Sequence, residues 1–213
     1  MIKQIEFYFD YISPYSYLAD SQLGMLGERT GARIIYRPVS LGGIFKATGN
    51  ASPIANPAKG KYVRDDIARW IRRYRVAFGN NPHFPFNTLR LMRGAVAAQL
   101  QGRFESLHPA AFRAMWVEGQ NLADKEVVSA LLSRAGVDSS AIESEQVAAQ
   151  LRANTDEAVR RGAFGVPTFF VEEENLLRGR RDVLGQRPAR LRRTSGNGID
   201  AAQHCFSNDA VER

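Results

Sequence analysis

Strand patterns lie near the start of the chain and again near residue 168, and this order constrains the fold most. Residues 3–9 alternate between apolar and polar side chains, which predicts a strand. Ser13 and Pro14 then form a helix start, with serine as the cap and proline at the first helical position. The helix is expected to run to about Glu28. A second strand follows at 32–39, so the chain opens as strand, helix, strand.

Helical patterns fill the segment from about residue 59 to residue 150. After a short helix at 40–48 and a loop at 49–57, the predicted helices cover 59–76, 88–100, 108–118, 125–135 and one or two helices within 142–160, with a loop at 80–87. The motif Gly165-Val166-Pro167 leads into a last strand that ends at Val171. An α-helical domain inserted into an α/β fold is the simplest architecture for this order.

Cysteine content and hydropathy exclude several classes of protein. The chain of 213 residues has one cysteine, Cys205, which excludes an internal disulfide, a two-cysteine redox centre and a cysteine-based zinc cluster. No apolar run reaches the length of about eighteen residues that a membrane helix needs. The N-terminus enters a strand pattern directly, so we expect no signal peptide, no membrane and a cytoplasmic location. We predict no metal site.

The positive charge of the chain is local. The formal net charge is +7, and the stretch from Arg178 to Arg193, with seven arginines and one aspartate, accounts for +6 of it. The rest of the chain is therefore nearly neutral, which weakens any argument for nucleic-acid binding by the fold as a whole. We expect no nucleic-acid partner. The alternative, an RNA-binding module that uses this arginine stretch, predicts that deletion of 172–213 abolishes nucleic-acid binding.

Two local features, the helix start at Ser13 and the Val166–Pro167 bond, are candidates for a binding site. The N-terminus of a helix presents unpaired N–H groups and a partial positive charge, so it can seat an anion. A hydroxyl at that point, such as that of Ser13, can donate to a bound thiolate and lower the pKa of the thiol; the alternative is that Ser13 is only a helix cap. Pro167 at the start of a strand is restricted to an edge or a special turn, and a cis bond after Val166 is one option.

Five segments together resemble one branch of the thioredoxin superfamily. The branch contains the disulfide oxidoreductase DsbA, the kappa-class glutathione transferases and the 2-hydroxychromene-2-carboxylate isomerases. The segments are FYFDYISPYSYLA (7–19), PVSLGGIFKATGN (38–50), NPAKGKYVRDDIARW (56–70), NPHFPFNTLRLMR (81–93) and FGVPTFFV (164–171). GGIFKATGN and NPHFPFNTL favour the isomerase over the transferase.

The resemblance implies an α/β, thioredoxin-like fold with a large inserted α-helical domain. We place the first thioredoxin-like part at 1–55, the inserted domain at 56–150 and the second thioredoxin-like part at 151–171. Residues 172–213 form an Arg-rich tail that departs from the family and that we expect to be poorly ordered. The resemblance also allows a homodimer, with the helical insertion as its surface.

Ser13 and Ser16 stand where redox members of the superfamily carry Cys-x-x-Cys. Without cysteines there, thiol–disulfide exchange cannot occur, so a reactive sulfur must come from a ligand. The resemblance implies that this ligand is glutathione. It further implies that Ser13 bonds the glutathione sulfur and that Asn50 and Lys59 also contact glutathione. A cis Val166–Pro167 bond would offer the backbone of Val166 to its cysteinyl part.

The resemblance implies an isomerase in the degradation of naphthalene-type aromatics. Its substrate is a hydroxychromene carboxylate and its product is trans-o-hydroxybenzylidenepyruvate. Reversible addition of a thiolate turns a C=C bond into a single bond that can rotate. Lys46 and Phe86 match substrate contacts of the family. The alternative is that Lys46 and Lys59 are plain surface lysines and that Phe86 is a core residue. By residue type, His83 and His108 are candidates for proton transfer. The alternative function is a kappa-like glutathione transferase.

The tail lacks a signature that the family carries after the last predicted strand, close to M-F-W-G-N-D-R-L-D-F. The segment from Asp182 to Arg193 reads DVLGQRPARLRR. Degenerate codons for it, read one nucleotide forward, permit M-F-W-G-N-D-R-L-D-F-V-E. We therefore hypothesise a frameshift between Val171 and Arg181. In the family, the Asn-Asp pair of this signature binds glutathione, so the tail would leave part of that site absent; the alternative is a genuinely divergent tail.

Overall fold

The computed structural model describes residues 4–171 and the backbone of residues 174–175. These residues contain four strands, β1 (Gln4–Phe9), β2 (Arg33–Pro38), β3 (Thr168–Val171) and β4 (Glu174–Asn175). They contain seven α-helices, α1 (Pro14–Thr30), α2 (Leu41–Thr48), α3 (Pro57–Tyr74), α4 (Leu89–Leu100), α5 (Phe104–Trp116), α6 (Lys125–Arg134) and α7 (Glu145–Arg160). Short 3-10 turns occur at Pro53–Ala55 and Ser139–Glu143.

The strands form one mixed sheet in the order β2-β1-β3-β4. β1 runs parallel to β2, with Phe7 opposite Tyr36, and antiparallel to β3, with Phe7 also opposite Phe169. The helix α1 connects the two parallel strands, as the sequence predicts. The helices α2 to α7 lie between β2 and β3 in the chain, so the predicted α/β architecture with a helical insertion is confirmed.

Both faces of β1 are buried, and each face has its own apolar cluster. On one face, the ring centroid of Phe7 lies 5.4 Å from that of Phe9 and 5.1 Å from that of Phe169. This cluster extends into α4, α5 and α6. On the other face, Tyr8 packs edge-on against Phe170 at 5.3 Å. Each buried aromatic side chain contributes about 1.5–3 kcal/mol to folding, so the strand that leads to Ser13 is held from both sides.

The helical insertion packs closely where α4 meets α6. Seven of the twelve residues of α4 are buried, and most of these are alanine, glycine or valine. A Cβ atom on Gly94 would lie 2.7 Å from Cδ2 of Leu132 on α6. Glycine at this position therefore permits the close approach of the two helices.

The helix α5 begins four residues earlier than the sequence predicts. It starts at Phe104, and it continues through Pro109. Phe104, Leu107 and Ala111 are all buried at helical spacing, so their burial against the core supports the first turns. Proline cannot donate to the carbonyl four residues back. This local cost is the reason that the sequence pattern alone places the start of the helix too late.

None of the helices within residues 4–171 is both long and apolar enough to cross a membrane. The expectations for the tail at 172–213, including its poor order, lie outside the described residues apart from the backbone of 174–175. The domain boundaries at 55, 150 and 171 stay a prediction.

Tyr74 provides a test of packing at the end of α3. Its ring lies tilted against that of Trp70, with 5.1 Å between the ring centroids, and its buried hydroxyl has no hydrogen-bond partner among the described residues. Burial raises the pKa of Tyr74 to about 12 from its ordinary value of 10.0. The unfolded chain therefore loses this proton first, so the free energy of unfolding falls as the pH rises from about 10 to about 12.

We expect the Tyr74→Phe variant to show a smaller fall over this range than the unsubstituted protein, and to be at least as stable at pH 7. Urea unfolding at a series of pH values measures both quantities. Because Tyr11 and Tyr36 also have raised pKa values through burial, some fall remains in the variant. Identical curves for the two proteins would contradict the prediction.

Candidate functional site

Ser13 joins the first helix to the loop before the last predicted strand. Its backbone is extended, with φ −89° and ψ 114°, which places it as the cap of α1. Its Oγ accepts a hydrogen bond from the N–H of Ser16 at 3.1 Å and donates to the carbonyl of Val166 at 3.2 Å. The side chain thus caps the helix and contacts the Val166–Pro167 segment at the same time. The structure brings these predicted site residues together.

The Val166–Pro167 bond is cis, and it directly precedes β3. Thr168 is fully buried, and its hydroxyl donates to the carbonyl of Gly165 at 2.7 Å. Asn50, just after α2, donates from Nδ2 to the carbonyl of Phe164 at 2.8 Å. Asn50 therefore contacts the same loop as Ser13, two residues before Val166.

Lys59 lies in the first turn of α3. Its backbone N–H donates to the side chain of Asn56, the cap of α3. Tyr15 donates from its hydroxyl to Oδ2 of Asp66, two turns further along α3, at 2.9 Å. This bond fixes α3 against the first turn of α1. The side chain of Lys59, in the first turn of α3, is exposed.

The two predicted substrate residues lie on different elements. Lys46 is exposed in the last turn of α2. Phe86 is half-buried and packs against the main core. Within residues 4–171, no hydrogen bond, ion pair or ring contact joins either side chain to Ser13, so their roles stay predictions. Thr88, two residues after Phe86, is linked to the site loop through Asp10.

Asp10 is the site residue that the sequence analysis missed. Asp10 directly follows β1 and lies three residues before Ser13, and it is 2% exposed. Its carboxylate accepts hydrogen bonds from Ile12, Leu41 and Thr88. Burial raises the pKa of Asp10, and these three bonds oppose that rise. The available signal was an aspartate just before a helix cap, but its partners on α2 and α4 are 31 and 78 residues away.

His108 lies in the core and not at the site surface. Its Nε2 is 2.9 Å from Oδ1 of Asp20, and its Nδ1 is 3.0 Å from the hydroxyl of Tyr11. Because a carboxylate only accepts, Nε2 donates to Asp20. Burial raises the pKa of Tyr11 well above its ordinary value, so the phenol keeps its proton and donates to Nδ1. We therefore assign His108 to the core network. The other candidate, His83, is exposed in the 80–87 loop.

Within residues 4–171, no group of three or more histidine, cysteine, aspartate or glutamate residues could hold a metal ion. The polar groups that the structure brings together around Ser13 and its loop are hydroxyls, backbone carbonyls, the Asn50 amide and the Asp10 carboxylate.

Comparison with known proteins identifies the family. The profile of the DsbA-like thioredoxin domain matches residues 4–189. The chain belongs to the DsbA-like thioredoxin family. This membership confirms the thioredoxin-like fold that the sequence predicts.

Relatives define the branch within the family. A 2-hydroxychromene-2-carboxylate isomerase from Sphingobium xenophagum is 32% identical over 180 residues, covering 82% of this chain and 91% of that protein. Glutathione S-transferase kappa 1 from Rattus norvegicus is 27% identical over 182 residues, covering 78% and 80%. A solved 2-hydroxychromene-2-carboxylate isomerase superposes with a TM-score of 0.68 at 31% identity, covering 81% and 87%. The chain therefore belongs with the isomerases, and the predicted resemblance is confirmed.

Ser13 and Ser16 allow a matched test of the helix start. We expect Ser13→Ala to lower the free energy of unfolding by about 1–2 kcal/mol, because it removes the cap and a bond to Val166. Ser16 is fully buried, but its hydroxyl has no hydrogen-bond partner within the described part of the chain. Ser16→Ala should therefore cost nothing or stabilise slightly. Urea unfolding of both variants measures the difference, and equal losses would contradict it.

Proposed function

We propose that this protein is a glutathione-dependent isomerase that converts 2-hydroxychromene-2-carboxylate-type substrates into trans-o-hydroxybenzylidenepyruvate. The observation that carries the proposal is the position of Ser13, a hydroxyl at the N-terminus of α1 bonded to the carbonyl of Val166. Relatives that cover 82% and 81% of this chain are named 2-hydroxychromene-2-carboxylate isomerases.

The groups around Ser13 suit a thiolate ligand. The N-terminus of α1 contributes the partial positive charge of the helix dipole. The Ser13 hydroxyl can rotate to donate to a sulfur anion and can still accept from the N–H of Ser16. Both interactions favour the ionised form of a bound thiol. The residues present therefore fit glutathione.

The remaining contacts with glutathione are assigned to three parts of the chain. The carbonyl and N–H of Val166, before the cis bond to Pro167, would bind the peptide backbone of the cysteinyl part. Asn50 would contribute its side-chain amide, and Lys59 would pair with a carboxylate of the tripeptide. Glutathione carries two carboxylates, which complement a lysine at an exposed helix start.

When bound, glutathione supplies the sulfur nucleophile that adds reversibly to the substrate C=C bond. The protein must hold the thiolate, bind the substrate carboxylate and stabilise the negative charge that develops on the enone oxygen. Lys46 is assigned to the carboxylate and this oxygen. Phe86 is assigned to one wall of the aromatic pocket. We further propose that the enzyme is cytoplasmic and acts in the degradation of naphthalene-type aromatic compounds.

The second candidate function is a kappa-like glutathione transferase. The 27% identity with the rat kappa-class protein favours it as the alternative. The two functions differ in stoichiometry: an isomerase regenerates glutathione, whereas a transferase consumes it. Incubation with a hydroxychromene carboxylate, with free thiol counted before and after the reaction, separates them.

We expect isomerisation to require glutathione, to leave the free thiol concentration unchanged and to fall at least tenfold in Ser13→Ala. A hydrogen bond to a charged group contributes about 1.5–3 kcal/mol, which corresponds to a tenfold or larger change in rate. Ser16→Ala is the matched control and should keep most of the activity. Product formation is followed by its absorbance. Activity without glutathione would refute both candidate functions.

We also propose that the tail from residue 172 results from a frameshift. The support is the shifted reading of DVLGQRPARLRR, which permits M-F-W-G-N-D-R-L-D-F-V-E. The nucleotide sequence of codons 182–194, read one position forward, should spell this signature. A variant with the frame restored should bind glutathione more tightly than the present chain, because it regains the Asn-Asp pair. A nucleotide sequence that does not spell the signature would end the proposal.

A further inference from the structure

The carboxylate of Asp10 joins three separate segments of the chain. Oδ1 accepts from the N–H of Ile12 at 3.1 Å and from the hydroxyl of Thr88 at 2.7 Å. Oδ2 accepts from the N–H of Leu41 at 2.9 Å. Both oxygens are therefore used, and they lie in the interior of the protein.

Each donor stands at the start of a helix that leads to the proposed site. Ile12 directly precedes Ser13, the cap of α1. Leu41 is the first residue of α2, and Thr88 is the cap position of α4. The same segments carry the proposed site residues, since Lys46 and Asn50 follow from α2 and Phe86 lies two residues before Thr88.

The partial positive charges of the three helix starts favour the ionised carboxylate. They offset part of the cost of burying a charge, which otherwise favours the protonated acid. The side chain of Thr88 makes no capping bond to α4, and its hydroxyl donates to Asp10 instead. An asparagine in place of Asp10 would present an NH₂ group to at least one of the three donors.

We propose that Asp10 is a positioning residue that sets the Ser13 loop in register with the starts of α2 and α4. This inference rests on the proposed function for its catalytic consequence. Both oxygens of the buried Asp10 carboxylate bond protein donors, so we assign Asp10 no direct contact with substrate or glutathione. Its effect reaches the site through Ile12, Leu41 and Thr88.

The test uses Asp10→Asn, Thr88→Val and Thr88→Ser in the full chain. The control is Asp124→Asn, which removes the capping carboxylate of α6, a helix without a proposed site residue. For each protein, the dissociation constant of glutathione and the pKa of its bound thiol are measured, the latter from thiolate absorbance against pH. The values of kcat and KM are measured in parallel.

We expect Asp10→Asn to weaken glutathione binding at least tenfold and to raise the pKa of the bound thiol. A purely electrostatic role would have the opposite sign, because loss of a nearby negative charge lowers a thiol pKa. Thr88→Val keeps the charge of Asp10 and should shift both quantities in the same direction by a smaller factor. Thr88→Ser restores the hydroxyl and should restore both values, while Asp124→Asn should leave them unchanged.

Amide hydrogen exchange gives a readout that needs no glutathione. In Thr88→Val, the amides of residues 12–13 and 41 should exchange faster, although the substitution is on another element. If the unsubstituted protein binds no glutathione, the proposed function fails, and the exchange pattern still decides the role of Asp10. Faster exchange confined to the region of residue 88, or an unchanged thiol pKa and dissociation constant in folded Asp10→Asn, would overturn the inference.

Discussion

The hydrogen bond between the Ser13 hydroxyl and the carbonyl of Val166 is the interaction on which the candidate site depends. It joins two segments that are 153 residues apart in the chain. The helical insertion lies between them, so its folding must bring the ends together before the site exists. The loop-closure entropy of such a long connection is offset by the two-sided burial of β1 and by the pairing of β1 with β3. The site is therefore a property of the whole fold.

The sequence predicts the local parts of this arrangement well. The alternation of residues 3–9 gives β1, the Ser13-Pro14 pair gives the start of α1, and the turn at Pro167 leads into β3 as expected. These signals are local because periodicity, capping and proline chemistry act over a few residues. The predicted start of α5 was wrong because the burial of Phe104 against the core outweighs the preference of Pro109 for the first turn of a helix.

The long-range parts could not be predicted in the same way. Nothing near Asp10 in the sequence indicates that Thr88, 78 residues later, will donate to its carboxylate. Likewise, the placement of His108 between Asp20 and Tyr11 follows from the packing of α5 on the aromatic face of β1. The residue type alone does not distinguish a histidine in the core from a histidine in an active site. Only the three-dimensional contacts separate the two cases.

Ser13, which stands where redox members of the superfamily carry a cysteine, forms a hydrogen bond to Val166 that a bound ligand can replace. The hydroxyl has one proton, and in the structure that proton goes to the Val166 carbonyl. Under the proposed function, donation to a thiolate sulfur releases this carbonyl, which can then accept from an N–H of the same ligand. One internal bond is exchanged for two bonds to the ligand, while Ser16 continues to donate to Ser13. Under the proposed function, a ligand with a sulfur anion but no adjacent peptide N–H would gain only one of these two bonds, so such a site would prefer a peptide thiol.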